Sequence, residues 1–188
     1  NQKEYIFNKY WSDTLSTRRE KLMPFLWTTI AANGQIYGNR NYNNFVDVAN
    51  PYWFSTPGYS ELFCGYVDTA INSNKYINNP NPTFFEFLDS KDEFKGKVAL
   101  FGAWAALPYI ANDQRCKLVV SSAYNPNNAL ATEKEQLINQ MLIDSYSPWG
   151  ESECMDSYVF YQGFEYLKSH KPKVLYMMFG KTDEWAHD

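Results

Sequence analysis

The sequence predicts an α/β fold in which a mainly parallel sheet is flanked by helices. Three apolar stretches have the length and composition of buried strands: Lys97–Phe101 (KVALF), Lys117–Val120 and Lys173–Phe179 (KVLYMMF). The last is almost continuously apolar, as expected of a strand that is covered on both faces. Helical patterns separate these strands, and strands that alternate with helices are typical of parallel sheets.

The chain length favours a single domain over residues 1–188. The 188 residues have a mass of 21.9 kDa and are 45% hydrophobic, which is enough to form a substantial core. Aromatic residues make up 18% of the sequence, whereas disordered chains lack such bulky groups. No internal repeat or low-complexity linker divides the sequence, so we expect one α/β domain.

The first predicted elements are a helix and a short strand. Thr17 is a candidate cap for a helix whose apolar residues recur at helical spacing as far as Ile30. The helix is predicted to end at Asn33-Gly34, because asparagine and glycine tolerate the positive φ of a turn. Gln35–Gly38 is then predicted to form a short strand.

Two capping boxes predict helix starts later in the chain. In a capping box, a Ser or Thr side chain accepts a backbone N–H three residues on, and a Glu at that position reaches back. Thr83 with Glu86 and Thr132 with Glu135 have this spacing, each before an apolar run. Another helix is predicted over Gly58–Val67.

A regular helical pattern lies near the end of the sequence. Ser157–Lys168 is amphipathic, and we expect it to bury one side. The residues predicted for that side are Val159, Phe160, Phe164 and Leu167. His170, just beyond this helix, is predicted to be a solvated loop residue.

Charge and composition argue against several classes of function. The sequence has 17 Lys and Arg against 21 Asp and Glu, a net charge of −4 and a pI near 5.2. No basic face is implied, so we expect no nucleic-acid-binding surface. No apolar run approaches the roughly 18–20 residues that cross a bilayer, so we expect no transmembrane segment. The three cysteines are far apart, which excludes zinc-finger and CxxC redox motifs.

A pair of hydroxyl residues marks the first candidate site. Ser55 and Thr56 stand directly before Pro57, and proline is suited to the first turn of a helix. The free N–H groups and partial positive charge of a helix N-terminus stabilise an alkoxide and an anionic ester. The same residues also fit an ordinary helix N-cap, a position that Ser and Thr favour.

The second candidate site follows the strand Lys173–Phe179, and ligands gather at the carboxyl ends of parallel strands. Asp183 and His187 are four residues apart, so one helical turn would place both side chains on the same face. A carboxylate and an imidazole in this arrangement are suitable zinc ligands. The spacing alone also fits an acidic helix start followed by a solvated histidine.

Together these segments resemble the alkaline phosphatase superfamily, which includes phosphodiesterases, cofactor-independent phosphoglycerate mutases and sulfatases. Its phosphodiesterase and sulfatase branches have a proline two residues, a leucine seven residues and a glycine ten residues after the nucleophile. Pro57, Leu62 and Gly65 stand at those positions relative to Ser55. The resemblance implies that Ser55 is the catalytic nucleophile, with Thr56 as the alternate.

The resemblance gives roles to three further residues. The superfamily has Asp-x3-His after a strand as two ligands of one metal, which implies that Asp183 and His187 are metal ligands. Ile71–Asn74 resembles the phosphodiesterase segment whose asparagine binds a substrate oxygen, and Asn74 is the matching residue. Tyr59 stands where sulfatases need an arginine, which disfavours a sulfatase.

The resemblance covers nearly the whole chain. Within the superfamily, the chain is similar to a subgroup of bacterial secreted or periplasmic proteins labelled phosphoglyceromutase-like. The segments that carry it are Arg18–Trp27, Gly34–Arg40 and Phe54–Leu62. It implies a periplasmic or extracellular location. Asn1–Lys9 has no signal-peptide pattern, so we expect any targeting peptide to be absent or removed.

The activity that the resemblance implies is hydrolysis or transfer of a small phosphate ester through a phosphoserine. It implies two divalent metal ions, zinc or manganese. Upstream of the nucleophile only Asp47 offers a substitute ligand, and the other ligands are expected beyond His187. We therefore expect an incomplete catalytic domain that lacks both ends, holds at most one metal weakly and is inactive by itself.

Two other functions stay open. One is a serine-type sulfatase. The other is a non-catalytic module that binds glycans, because the sequence is rich in Asn, Tyr and Trp. Most of the six tryptophans are nevertheless predicted to lie in the core.

Overall fold

The structure is a computed structural model that describes residues 1–116 and 118–187. It divides into two compact units, Asn1–Asp47 and Val48–Asp188. Lys117, the first residue of one predicted strand, lies outside the described residues. Within the described part, no helix is both long enough and apolar enough to cross a membrane.

The first unit consists of short helices. They are α1 (Gln2–Tyr10), α2 (Leu15–Leu22), a π-helical turn (Leu26–Ile30) that continues into α3 (Ala31–Asn33), and a 3₁₀ turn (Arg40–Tyr42). Residues 1–47 are all described, and none of them is buried. The unit therefore has no apolar core of its own.

Two predictions for the first unit are wrong. α2 begins after Thr14, whose Oγ1 accepts a hydrogen bond from the Thr17 backbone N–H at 3.3 Å. Thr17 therefore lies inside the first turn, because a second hydroxyl residue three positions earlier takes the cap. Gln35–Gly38 is not a strand, since the unit contains no other strand with which it could pair. Asp47, the possible upstream ligand, forms an ion pair with Arg40.

The second unit is an α/β structure, which confirms the predicted fold class. Its elements in chain order are α4 (Ser55–Cys64), α5 (Phe84–Asp89), β1 (Val98–Gly102), α6 (Leu107–Ala111), β2 (Val119–Ser122), α7 (Glu133–Asp144), a 3₁₀ turn (Gly150–Ser152), α8 (Asp156–His170), β3 (Val174–Met178) and α9 (Lys181–Glu184). Both predicted capping boxes are confirmed at the starts of α5 and α7.

The three strands form one parallel sheet in the order β2-β1-β3. Every residue of the central strand β1 is buried, whereas β3 is half-buried except at Met178. β3 is thus less buried than its almost continuously apolar sequence predicted, whereas β2 at the other edge is buried at three of its four residues. The carboxyl ends of the strands meet at one edge, where Gly102 pairs with Ser122 on one side and Met178 on the other.

Helices cover both faces of the sheet, and each face has its own apolar cluster. α4, α5 and α6 pack on one face, in a cluster whose largest buried side chains are Phe63, Phe85, Leu100, Leu107 and Ile110. α7 and α8 pack on the other, in a cluster that contains Ala99, Phe101, Leu142, Val159 and Tyr166. Successive residues of β1 alternate between the two clusters, as the two-residue period of a strand requires.

The buried face of α8 differs from the prediction. The helix buries Val159, Gln162, Gly163 and Tyr166, while Phe160, Phe164 and Leu167 are 40–44% exposed. The helix approaches the sheet through Gly163, where an added Cβ would lie only 2.5 Å from the Met177 Sδ of β3. Apolar periodicity could not reveal this contact, because glycine has no side chain.

The prediction for His170 is wrong. α8 extends as far as His170, whose ring stacks on Tyr166 with 4.2 Å between ring centroids. The His170 Nε2 lies 3.1 Å from the Glu135 Oε2 of α7. His170 is thus an interhelical contact, because the extra turn of helix carries it back over the preceding aromatic ring.

The tryptophans also differ from the prediction, since none of the six is buried. Aliphatic residues and phenylalanines fill the core instead. Trp53 is the most exposed, at 93%. Of the cysteines, Cys154 is buried while Cys64 and Cys116 are half-buried, and all are free thiols.

Candidate active site

A cleft of about 990 Å³ lies at the carboxyl edge of the sheet in the second unit. The start of α4, the segment around Asn74, the loops after β1 and before α8, and the segment after β3 line it. Four of the residues singled out from the sequence lie on its wall: Ser55, Asn74, Asp183 and His187. The fold therefore brings into one cleft residues that are far apart in the chain.

Ser55 is the first residue of α4, where the chain turns from extended to helical backbone. The cap residue is Phe54, and it makes no side-chain capping bond. The N-cap interpretation of the hydroxyl pair is therefore wrong. Among the described residues, the Ser55 hydroxyl has no hydrogen-bond partner, and Ser55 is half-buried at the cleft. Its oxygen is free to meet a bound molecule at a helix N-terminus.

Thr56, which the resemblance offers as the alternate to Ser55, has a different environment. It is only 6% exposed and lines a separate pocket of about 240 Å³. Its Oγ1 is buried without a partner among the described residues. Consecutive helical residues point in different directions, so the two hydroxyls of the pair belong to different cavities.

Asn74 contacts the same helix start. Its Oδ1 accepts a hydrogen bond from the backbone N–H of Thr56 at 2.9 Å, which satisfies one of the free N–H groups of the first turn. An N–H donor must face the amide oxygen, so this bond also determines the orientation of the amide. The Nδ2 group remains available as a donor at the cleft.

Asp183 and His187 follow β3, as predicted. Asp183 is in the short helix α9, and His187 lies just past its end. The Asp183 Oδ1 and the His187 Nε2 are 3.6 Å apart, and both side chains are mostly exposed. The pair offers two donors on one side of the cleft. The described residues include no cluster of three or more Asp, Glu, His or Cys that could hold a metal.

A network that sequence reasoning missed holds the start of α9. The Asp156 carboxylate accepts the backbone N–H groups of Gly180 at 2.8 Å and Lys181 at 3.2 Å. The Lys181 Nζ donates to the Glu153 Oε2 at 2.8 Å and lies 3.7 Å from the centre of the Trp149 ring. These contacts attach the turn that bears Asp183 to the start of α8. No local pattern announces them, because the partners are distant in the chain.

Two further groups that line the cleft have raised pKa values. Burial of the Glu153 carboxyl raises its pKa to about 7. The nearby Glu184 carboxylate raises this pKa further, and Lys181 lowers it by less than the other two raise it. Burial, followed by the charges of Asp183 and Glu153, raises the pKa of Tyr59. Tyr59 therefore keeps its phenolic proton at neutral pH. Tyr59 is four residues after Ser55, and residues with this spacing share a helix face. This spacing could have predicted from the sequence that Tyr59 lies at the cleft.

The cleft is acidic. Glu153, Asp183 and Glu184 line it, and no Lys or Arg does so among the described residues. These carboxylates repel an anionic ligand, so such a ligand requires a cation bound at the same place. The donors of Asp183 and His187 are chemically suited to hold a metal cation. Comparisons with protein-family models, with curated proteins and with solved structures give no match for this chain.

Proposed function

We propose that the cleft is part of the active site of a metal-dependent phosphate-ester hydrolase or phosphoryl-transfer enzyme. The observation that carries the proposal is the meeting of Ser55, Asn74, Asp183 and His187 on one cleft wall. Each has the role that the resemblance to the alkaline phosphatase superfamily implies. The resemblance assigned those roles from the sequence, and their shared cleft is an independent geometric observation.

Asp183 and His187 would hold a divalent cation, zinc or manganese. Their oxygen and nitrogen donors suit such an ion, and two donors leave the rest of its coordination shell to water or other groups. Bound there, the ion would neutralise charge on the substrate and favour the ionised nucleophile. The acidic lining makes this charge compensation necessary for an anionic substrate.

The chain's own residues would carry the transfer. The Ser55 Oγ loses its hydroxyl proton and attacks phosphorus, the phosphorus–oxygen bond to the leaving alcohol breaks, and the leaving oxygen takes up a proton, so that no net proton is gained or lost. Asn74 donates from Nδ2 to a phosphoryl oxygen while its Oδ1 stays on the Thr56 N–H. Water then attacks the phosphorus, the bond from phosphorus to the Ser55 Oγ breaks and the hydroxyl regains a proton, which releases phosphate from a monoester substrate and a phosphomonoester from a diester. The N-terminus of α4 stabilises the negative charge throughout.

A non-catalytic glycan-binding module is the second candidate function. It is favoured by Trp53, which is 93% exposed and lines the cleft, because an exposed indole face can stack on a sugar. This candidate predicts glycan binding that is insensitive to metal chelators and to loss of the Ser55 hydroxyl.

The test compares Ser55→Ala with Thr56→Val in the natural protein that contains residues 1–188 plus any flanking sequence. Phosphate mono- and diesters are assayed with added zinc, beside a sulfate ester. We expect Ser55→Ala to lower kcat/KM at least about 1,000-fold and Thr56→Val to leave it within a few-fold. Unchanged turnover in Ser55→Ala, or preference for the sulfate ester, would contradict the proposal.

A further inference from the structure

A second cavity lies on the sheet face that α7 and α8 cover. It has a volume of about 230 Å³ and shares no lining residue with the cleft. Apolar side chains of β1, the start of β2 and the loop before α7 form one part of its wall, including Phe101, Val119 and Leu130. Polar side chains of α7 and α8 form the other part: Glu135, Asn139 and Gln162.

Glu135 is the charged group of this pocket. It is 5% exposed, and its Oε2 accepts the Thr132 backbone N–H at 2.7 Å and faces the His170 Nε2 at 3.1 Å. Burial alone would raise the pKa of Glu135, but the bonds from Thr132 and His170 outweigh it and leave the pKa below its usual value. The carboxylate is therefore ionised at neutral pH.

The other oxygen of this carboxylate is unsatisfied. The Glu135 Oε1 is buried and has no hydrogen-bond partner among the described residues. A buried charged acceptor without a donor is costly. Among the described residues no Lys or Arg pairs with Glu135, so the molecule leaves room for a donor that comes from outside.

The neighbouring amides do not supply that donor. The Gln162 Nε2 donates to the Asn139 Oδ1 at 2.8 Å, and the Asn139 Nδ2 donates to the Asn128 Oδ1 at 2.7 Å. These side chains thus satisfy one another along the wall. The Glu135 Oε1 therefore still lacks a hydrogen-bond donor. Because this oxygen is anionic, a primary ammonium group is the most favourable donor.

We propose that this pocket binds a small primary ammonium compound with a short apolar group. The ammonium donates to the Glu135 Oε1, and the apolar group packs against Phe101, Val119 and Leu130. The size is adequate, because an engineered protein cavity of about 150 Å³ admits benzene. The site is separate from the cleft and does not depend on the function proposed for it.

Benzylamine is a suitable probe because benzyl alcohol has nearly the same shape and no charge. The two are titrated into the 188-residue protein while backbone amide NMR signals of Ser121, Asn127 and Ala131 are followed. We expect saturable shifts with benzylamine and at least about 10-fold weaker binding of benzyl alcohol, which corresponds to one charge-assisted hydrogen bond. Equal affinity for both probes, or no shift at about 10 mM benzylamine, would overturn the proposal.

Glu135→Gln tests the carboxylate itself. Glutamine is also accepted at this position of a capping box, so α7 is expected to stay folded, and benzylamine binding should weaken at least about 10-fold. Glu133→Gln is the matched control, since it removes the same charge from an exposed position of the same first turn. Ala129→Leu, which fills the pocket from an exposed loop, should abolish binding with Glu135 intact. Full benzylamine affinity in either pocket variant would refute the assignment.

Discussion

The side-chain Oδ1 of Asn74 accepts a hydrogen bond from the backbone N–H of Thr56 at 2.9 Å. This bond joins a loop residue to the first turn of α4, immediately beside Ser55. It fixes the amide so that Nδ2 remains available as a donor at the cleft. The Asn74 side chain thus has two roles: its Oδ1 caps the helix, and its Nδ2 is available to contact a ligand. The two roles can be tested separately.

Asn74→Asp is expected to remove the contact with the ligand and to keep the helix cap. A carboxylate still accepts the Thr56 N–H, but it cannot donate and it adds negative charge to an acidic cleft. We expect kcat/KM for phosphate esters to fall about 10- to 100-fold, with little change in the urea midpoint of unfolding. Asn72→Asp, an exposed neighbour that does not line the cleft, is the control. An equal loss of activity in both variants would show that charge alone is responsible.

Zinc binding is expected to depend on Asp183 and His187. Calorimetric titration of the 188-residue protein should show one weak site, because Asp183 and His187 lie within reach of each other and the described residues contain no group of three or more such donors. Asp183→Asn and His187→Gln should each lower the affinity at least about 10-fold. His170→Gln is the matched control, since His170 is the other histidine of the chain and packs between α7 and α8. Undiminished zinc affinity in His187→Gln would contradict the ligand assignment.

Folding stability is expected to carry a pH dependence from Glu153. Its pKa is raised to about 7 in the folded protein, so the folded state binds this proton more tightly than the unfolded state does. The contribution is therefore fully present below the ordinary carboxyl pKa of about 4.3 and is lost as the pH rises towards 7. Glu153→Gln should remove this fall in the free energy of unfolding between pH 4.5 and 7.5.

The measurement is urea unfolding of both proteins across that pH range, and Glu151→Gln, at an exposed position nearby, provides the control. Only the change with pH is diagnostic, because Lys181 loses an ionised partner in the variant at every pH where Glu153 is charged. Parallel curves for the wild type and Glu153→Gln would show that Glu153 is not the group responsible.

Gly163→Ala tests how α8 meets the sheet. Helix propensity alone predicts a gain of about 1 kcal/mol for this change. The new Cβ would lie 2.5 Å from the Met177 Sδ, and overpacking of this kind costs about 1–3 kcal/mol. We expect the variant to unfold at lower urea, whereas Ser169→Ala, at an exposed position of α8, should be neutral or stabilising. A higher midpoint for Gly163→Ala would refute the close contact.

The best sequence predictions concern features that depend on neighbours in the chain. The capping boxes of Thr83 with Glu86 and Thr132 with Glu135 are present because their hydrogen bonds span only three residues. β1 was recognisable because a short apolar run that is too short for a helix is buried most readily as a strand. The predicted α8 has nearly the right ends but the wrong buried face, since the contact depends on Gly163.

The sequence by itself determined the α/β class and the capped starts of α5 and α7, and it supplied the candidate site residues. Only the tertiary structure decided which groups meet: Ser55 at the cleft and Thr56 outside it, Lys181 on Glu153, and His170 on Glu135. The physical reason is the distance along the chain over which each interaction acts. Helix caps and strand propensity act over a few residues, whereas the cleft and the second pocket are made by contacts between segments that only packing brings together.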